Sequence, residues 1–173
     1  MPQTANWVSL MPPELHFDVG QIDFSKVVAD LDAIRKVNPQ RHEMEQLDAV
    51  VYLDPSNSLI VGYKDVRYDE FWVRGHMPGY PLLPGVLMCE ASAQLCSYYT
   101  LTQHDFAGQF LGFGGMEAVR FRSPVRPGDR LVLVAKELKF NRRQTVYNVQ
   151  GFVQDRMVFH GDIIGVPIKR DED

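Results

Sequence analysis

Two residues with the chemistry of a proton-transfer pair stand fourteen positions apart in the segment GHMPGYPLLPGVLMCEASAQ, which spans residues 75–94. His76 lies among three prolines and three glycines, a composition that predicts a stiff loop. Glu90 is the one charged residue between Val86 and Thr102, a stretch that predicts an apolar helix. Because a neutral imidazole can accept a proton and a carboxyl group can supply one, the pair suits acid–base catalysis.

The start of the predicted helix offers a third chemical group. Gly85 and Val86 begin it, and the first N–H groups of a helix have no partner within the helix. Together with the helix dipole, these amides favour the negative charge that a carbonyl oxygen gains when an adjacent C–H is deprotonated. The three features predict proton abstraction next to a carbonyl, with protonation of a leaving group. The alternatives are a purely structural hydrogen bond for His76 and a solvent-facing helix position for Glu90.

The elements that must position this site can be read from the periodicity of the chain. A helix is expected over residues 24–37, capped by Asp23 or Ser25, and a hairpin of strands at 47–54 and 59–66. A long helix of about 15 to 18 residues begins near Gly85. Beyond it, apolar–polar alternation with turns at 126–129 and 154–157 is typical of an antiparallel sheet. One long helix and one antiparallel sheet that bury each other's apolar faces predict a single α+β domain.

The composition fits a soluble globular protein, since 45% of the 173 residues are hydrophobic and 23% are charged. No apolar run reaches the roughly 20 residues of a membrane helix. A signal peptide begins with a positively charged region, whereas here no Lys or Arg precedes Lys26. Cys89 and Cys96 lie too far apart along one helix for a disulfide. We therefore expect a cytoplasmic protein without membrane insertion. The sequence carries no metal-ligand cluster or phosphate-binding loop, so neither a metal, a cofactor nor nucleic acid is expected.

The segment at 75–94 resembles the hallmark of a known family, the 3-hydroxyacyl-[acyl-carrier-protein] dehydratases of fatty acid synthesis. It matches the type whose motif carries a glutamate at the position of Glu90. The family pattern is GHFPxxPxxPGVLxxEAxAQ, and Met77 stands in place of its usual aromatic residue. A second block, FGGMEAVRFRSPVRPGD at 113–129, is similar to the family's FxGxxxxRFxxPVxPGD. The resemblance extends from Pro39 to Ile168.

This resemblance implies a hot-dog fold, in which the sheet wraps the long helix, and a homodimer that can assemble further into a trimer of dimers. It implies removal of water from a (3R)-3-hydroxyacyl thioester to give the trans-2-enoyl product without a cofactor. His76 would be the base at C2, and Glu90 of the other subunit would protonate the departing hydroxyl. The amides of Gly85 and Val86 would hold the thioester carbonyl. Gln94 would orient the glutamate.

The chain contains a basic stretch that could contact an acidic partner. Between residues 120 and 143 there are eight Lys and Arg but two acids, although the whole chain has a net charge of −4. The stretch is either a set of solvated strand faces or a landing surface for an acidic protein. With the resemblance, Arg120 and Arg122 would face acyl carrier protein, whose phosphopantetheine arm bears the acyl chain.

Two parts of the chain depart from the family pattern. The family reads PHRYPFLLVD before its first strand, whereas PQRHEMEQLD at 39–48 keeps Pro39, Arg41 and Asp48. Residues 1–38 form an N-terminal extension with one helix, ahead of the hot-dog domain at 39–173, and would cover a sheet edge or part of the tunnel mouth.

These departures leave a second hypothesis open, a catalytically silent hot-dog protein that binds acyl carrier protein. A hot-dog thioesterase or a CoA-dependent enoyl hydratase stays open as well, since a carboxylate near a helix N-terminus also suits thioester hydrolysis.

Overall fold

The computed structural model describes residues 13–106 and 109–169. Two α-helices of this part of the chain, α1 (Leu31–Val37) and α2 (Gly85–Gln103), accompany six strands. The strands are β1 (Ala49–Asp54), β2 (Leu59–Asp65), β3 (Gln109–Phe121), β4 (Arg130–Asn141), β5 (Gln144–Val153) and β6 (Arg156–Lys169). All pair antiparallel in one sheet of order β1-β2-β4-β5-β6-β3. The predicted α+β arrangement is confirmed.

The long helix α2 forms the centre of the core, and the sheet wraps it. Met88, Leu95 and Tyr99 on this helix are each at most 3% exposed, as expected of a helix that is apolar on nearly every side. It begins at Gly85 as predicted and, with 19 residues, is slightly longer than predicted. Its cysteines are buried and unpaired, and burial raises the pKa of Cys89 to about 11. Within the described residues, no helix is long and apolar enough to cross a membrane.

The helix predicted over residues 24–37 begins only at Leu31. Its N-cap is Asp30, whose side chain accepts a hydrogen bond from an amide of the first turn at 2.8 Å. Asp23, one of the two predicted caps, instead accepts hydrogen bonds from the amide and hydroxyl of Ser25 in a local turn. The turn at Asp23, together with the hydrogen bonds of Val28 and Ala29 to β1, therefore overrides the helical periodicity of the preceding residues.

Residues 14–30 form an N-terminal arm, and its residues 17–24 pack on the face of the sheet opposite α2. The ring of Phe17 lies 4.7 Å from that of Tyr52, and the ring of Phe24 lies 5.8 Å from that of Tyr63. The arm covers a second apolar cluster, made of Val51, Leu59, Val61, Val132, Val134 and Phe152. The arm therefore shields apolar surface that would otherwise face water. Residues 1–12 of the predicted extension lie outside the described residues.

The two edge strands of the sheet, β1 and β3, differ in whether their outer side has a hydrogen-bonded partner. At β1, Val28 N donates to Val50 O and Val50 N donates to Ala29 O, each at 2.8 Å, so the arm pairs with this edge at Val50. At the other edge, β3 pairs with β6 alone among the described strands. Its 13 residues include the exposed Phe113 and Met116. A long strand at the edge of a sheet presents a row of N–H and C=O groups to another chain.

The predicted hairpin at 47–54 and 59–66 forms as β1 and β2, and the predicted turn at 126–129 lies between β3 and β4. The turn predicted at 154–157 is shorter, because β6 begins at Arg156 and leaves residues 154–155 between the strands. The turn between β4 and β5 was not predicted. Neither glycine nor proline marks it, and the side chain of Asn141 closes it by accepting from Arg143 N at 2.8 Å. A single asparagine is a weak signal in a stretch that is otherwise rich in strand residues.

A buried ion pair lies beneath the turn that leads to His76. Lys64 Nζ and Glu70 Oε2 are 2.9 Å apart, and their side chains are 1% and 9% exposed. Glu70 also accepts from Trp72 Nε1 and from Arg67 N, each at 2.9 Å. Burial alone would raise the pKa of Glu70, but these hydrogen bonds and the lysine charge outweigh it and lower the pKa. The pair fixes the turn because Trp72 O in turn accepts from His76 N.

Candidate active site

His76 lies in the loop between β2 and α2, and backbone hydrogen bonds hold it on both sides. Its N–H donates to Trp72 O at 2.8 Å, and its C=O accepts from Leu82 N at 2.9 Å. The ring Nδ1 lies 2.8 Å from Leu82 O. Because a carbonyl oxygen only accepts, Nδ1 carries the proton, and Nε2 of the neutral ring keeps a free lone pair. The structural hydrogen bond thus leaves one ring nitrogen available as a base. The peptide bond between His76 and Met77 is cis.

The ring lines a cleft of about 560 Å³ at the N-terminus of α2. Gly85 and Val86 line the same cleft, and Phe121 and Arg122 face them from the end of β3. A Cβ at position 85 would lie 2.7 Å from the ring of Phe121, so glycine permits this approach. No side chain of the N-cap binds the first amides of the helix. The structure therefore brings His76 together with the two predicted amide donors.

Glu90 lies further along α2, about 7.5 Å along the axis from Gly85. It lines a different pocket of about 30 Å³, whose other wall is formed by β3 and β6. The side chain is half-buried, neither enclosed by core nor fully exposed to solvent. Among the described residues, its one side-chain hydrogen bond is from Gln94 Nε2 to Oε1 at 2.8 Å. Within one chain, His76 and Glu90 therefore face separate pockets.

Gln94 is 2% exposed and connects Glu90 to the segment that departs from the family pattern. Its Nε2 also donates to Met44 O at 2.7 Å, and its Oε1 accepts from Gln46 N at 2.9 Å. The partners are backbone groups, which a segment of any sequence can supply. That is why the altered residues leave the contact intact, and why no sequence pattern could have identified Met44 and Gln46 as supports of the site.

Arg120 and Arg122 are exposed at the end of β3, and Arg122 lines the cleft of His76. Arg122 Nη2 lies 2.9 Å from His160 Nε2. Burial, and then the charges of Arg122 and Arg120, lower the pKa of His160, so its neutral ring can accept this hydrogen bond. The rim of the cleft is therefore cationic, and His160 is a member that the sequence did not indicate.

Two groups of the other cations in the basic stretch lie apart from this rim. Asp65 holds Arg130 through hydrogen bonds of 2.6 and 2.8 Å. Arg142 and Arg143 occupy the β4–β5 turn, at the far end of the strand from Arg130. The charge run of the sequence thus includes a cationic rim at the cleft, a paired arginine and an exposed turn. Within the described residues, no group of three His, Cys, Asp or Glu is arranged to hold a metal ion.

Comparison with known proteins assigns most of this chain to one protein family. A family model described as a FabA-like domain matches residues 38–162. A 3-hydroxyacyl-[acyl-carrier-protein] dehydratase FabZ from Desulfotalea psychrophila is 36% identical over 147 residues, which cover 84% of this chain and 93% of the relative. A relative of the same name from Syntrophobacter fumaroxidans is 37% identical over 136 residues, which cover 78% of this chain and 91% of the relative.

Solved structures share the fold at low sequence identity. The dehydratase heterocomplex ApeI:P from Xenorhabdus doucetiae has a TM-score of 0.65 at 16% identity, covering 80% of this chain and 91% of that one. A mutant thioesterase from Pseudomonas aeruginosa has a TM-score of 0.63 at 14% identity, covering 83% of this chain and 96% of that one. Likeness at such low identity concerns the fold alone, and it confirms the hot-dog fold predicted from the sequence.

Proposed function

This chain belongs to the FabA-like family, and on that premise we propose that it removes water from 3-hydroxyacyl-[acyl-carrier-protein] in fatty acid biosynthesis. The observation that carries the proposal is its similarity to the two FabZ dehydratases, which extends over at least 78% of the chain. The product is the trans-2-enoyl thioester. The geometry of the cleft and of the Glu90 pocket supports a division of the reaction into a base step and an acid step.

His76 is the base of this mechanism. With Nδ1–H held by Leu82 O, Nε2 takes the proton from C2 of the acyl chain. Negative charge moves to the thioester oxygen, where the amides of Gly85 and Val86 at the start of α2 stabilise it. The rigid loop and the fixed ring lower the entropy that must be lost when the base meets C2.

Glu90 is the acid. Gln94 binds one carboxyl oxygen, and the other passes a proton to the 3-hydroxyl group, which departs as water while the C2–C3 double bond forms. Because His76 and Glu90 line different pockets of one chain, we assign them to active sites shared between two subunits. The unpaired edge of β3, with exposed Phe113 and Met116, supports a homodimer that joins these edges.

The activity is tested with 3-hydroxyacyl thioesters of graded chain length, presented on acyl carrier protein and on CoA. The expected result is formation of the enoyl thioester, measured by mass spectrometry, with the carrier-linked substrate preferred. Release of free thiol instead would identify a thioesterase. Tight binding of the carrier protein without turnover would identify a silent binding protein.

Gln94→Ala is expected to lower kcat about tenfold with little change in KM, because Glu90 loses the contact that orients it. The substitution also leaves Gln46 N and Met44 O without their buried partner, so thermal unfolding is measured in parallel. Gln103→Ala, at the end of the same helix, serves as the matched control and should keep the wild-type kcat. A Gln94→Ala enzyme with unchanged turnover would contradict the orienting role.

Arg120→Glu with Arg122→Glu is expected to raise KM for carrier-linked substrate about tenfold, because the reversed charges repel an acidic partner. KM for a CoA thioester should change far less. Arg142→Glu with Arg143→Glu makes the same change in net charge at the β4–β5 turn and is the matched control. Equal effects of the two double variants would show that only net charge matters and would remove these arginines from the carrier contact.

We also propose a division of the chain into an extension over residues 1–38 and a hot-dog domain over 39–173. The start of the family match at residue 38 supports it, as does the packing of the arm on the outer face of the sheet. The two buried, reduced cysteines suit a reducing compartment, and we place the enzyme in the cytoplasm.

A further inference from the structure

The small pocket beside Glu90 collects buried polar atoms that lack a protein partner. Ser97 and Gln40 both line it. The Oγ of Ser97 and the Oε1 of Gln40 are buried, and neither has a hydrogen-bond partner within residues 13–106 and 109–169. Because each such atom costs desolvation free energy, buried polar atoms in proteins are nearly always hydrogen-bonded. Two of them beside a carboxyl group indicate a small polar ligand.

Ser97 differs from the other buried hydroxyls of α2. Ser92 Oγ donates to Met88 O at 2.9 Å, and Thr100 Oγ1 donates to Cys96 O at 3.0 Å, the usual arrangement inside a helix. Ser97 makes no such bond and lines the pocket instead. It lies two helical turns beyond Glu90 on the same face, which directs both side chains to the same pocket.

The size and polarity of the pocket select the ligand. Its volume of about 30 Å³ suits one water molecule, which needs two to four polar partners. We propose that the pocket binds a single water through Gln40, Ser97 and Glu90. The water donates one hydrogen to the carboxylate of Glu90 and the other to Gln40 Oε1, and it accepts the hydroxyl hydrogen of Ser97. Every polar atom named is then satisfied.

This water site gives the reaction a place for its second product, an inference that rests on the proposed dehydration. When the bond between C3 and oxygen breaks, the proton of Glu90 passes to that oxygen and water forms beside a carboxylate. The same carboxylate is one of the three partners of the site. The pocket therefore receives the eliminated water, and in the reverse direction it holds the water that adds to C3. Gln40 and Ser97 are positioning residues for this water.

Ser97→Ala tests the site, with Ser92→Ala as the matched control on the same helix. We expect Ser97→Ala to lower kcat about fivefold in both directions, the effect of one lost hydrogen bond, with KM within about twofold of wild type. Its melting temperature should not fall, because the removed hydroxyl has no protein partner. Ser92→Ala should keep the wild-type kcat. Gln40→Leu, which removes a second partner of the water, should lower kcat similarly.

A crystal structure of the wild-type protein provides a readout that does not depend on activity. The expected result is density for one water within hydrogen-bond distance of Gln40 Oε1, Ser97 Oγ and the Glu90 carboxylate. A dry pocket, with Ser97 Oγ turned onto a helix carbonyl, would overturn the inference, as would full activity of both variants. If the wild-type protein fails to dehydrate any substrate but the water is present, the proposed function fails and the site stands.

Discussion

Replacement of His76 by alanine, or of Glu90 by glutamine, is expected to lower kcat by about 10²–10⁴-fold, the contribution that a general acid or base makes to a proton-transfer reaction. The first change removes the free Nε2. The second keeps the shape of the side chain and removes its acidic proton. Steady-state dehydration of carrier-linked substrate measures both effects. Circular dichroism and sedimentation must show that each variant remains folded with the wild-type oligomeric state.

Mixing these two inactive variants tests the shared active site directly. In a mixed dimer, one of the two sites combines the intact His76 of one chain with the intact Glu90 of the other. After unfolding and refolding together in equal amounts, half of the dimers are mixed and the preparation regains about a quarter of the wild-type activity. A mixture that stays inactive would place both residues in the same subunit. Full activity of each single variant would remove them from the mechanism altogether.

Glu70→Ala should give the largest loss of stability among single substitutions near the site, about 3–5 kcal/mol in free energy of unfolding. The change leaves Lys64, which is 1% exposed, as a buried charge without its partner. It also removes the acceptor of Trp72 Nε1 and of Arg67 N. Urea unfolding followed by tryptophan fluorescence measures the loss.

The double variant Lys64→Met with Glu70→Leu serves as the control for this prediction. Replacing both charges by apolar side chains removes the uncompensated charge, so most of the lost stability should return. Its kcat should still fall, because the turn before His76 loses the hydrogen bonds to Glu70. A double variant as unstable as Glu70→Ala would show that the ion pair is not the source of the effect.

The lowered pKa of Glu70 sets the direction of its pH dependence. An acid whose pKa is lower in the folded state stabilises the fold above its unfolded pKa of about 4.3, and this stabilisation is lost as the pH falls through the folded value. As the pH falls below the unfolded pKa of Glu70, wild-type protein should therefore lose more free energy of unfolding than the Glu70→Gln variant does. Urea midpoints across the acidic range make the comparison.

The parts of the fold that depend on local signals could be predicted from the sequence. The prolines and glycines around His76 marked a loop, and the apolar run after Pro84 marked α2 to within one residue at its start. Two short strand-like segments separated by turn residues predicted the β1–β2 hairpin. The site residues of the loop and the first helical turn therefore came together in one cleft as their spacing predicted.

The parts that depend on distant contacts could not be predicted. Hydrogen bonds to β1 draw Val28 and Ala29 out of the helical pattern that preceded α1. The ion pair between Lys64 and Glu70 is buried, and no local sequence signal links the two residues. The supports of Gln94 are backbone groups, which have no sequence signature. In each case a long-range partner decides the outcome, and periodicity reports only near neighbours.

The occupied edge at β1 limits how far this sheet can grow. A sheet with two open edges can add copies without end and form a filament. Here Val28 and Ala29 pair with Val50 at one edge, so the proposed pairing through β3 would extend the sheet only once. In such a dimer, the arm of each chain would protect its outer edge at this position. Substitution of Val28 by proline would remove one of the hydrogen bonds that hold the arm on this edge and should favour assembly beyond the proposed dimer.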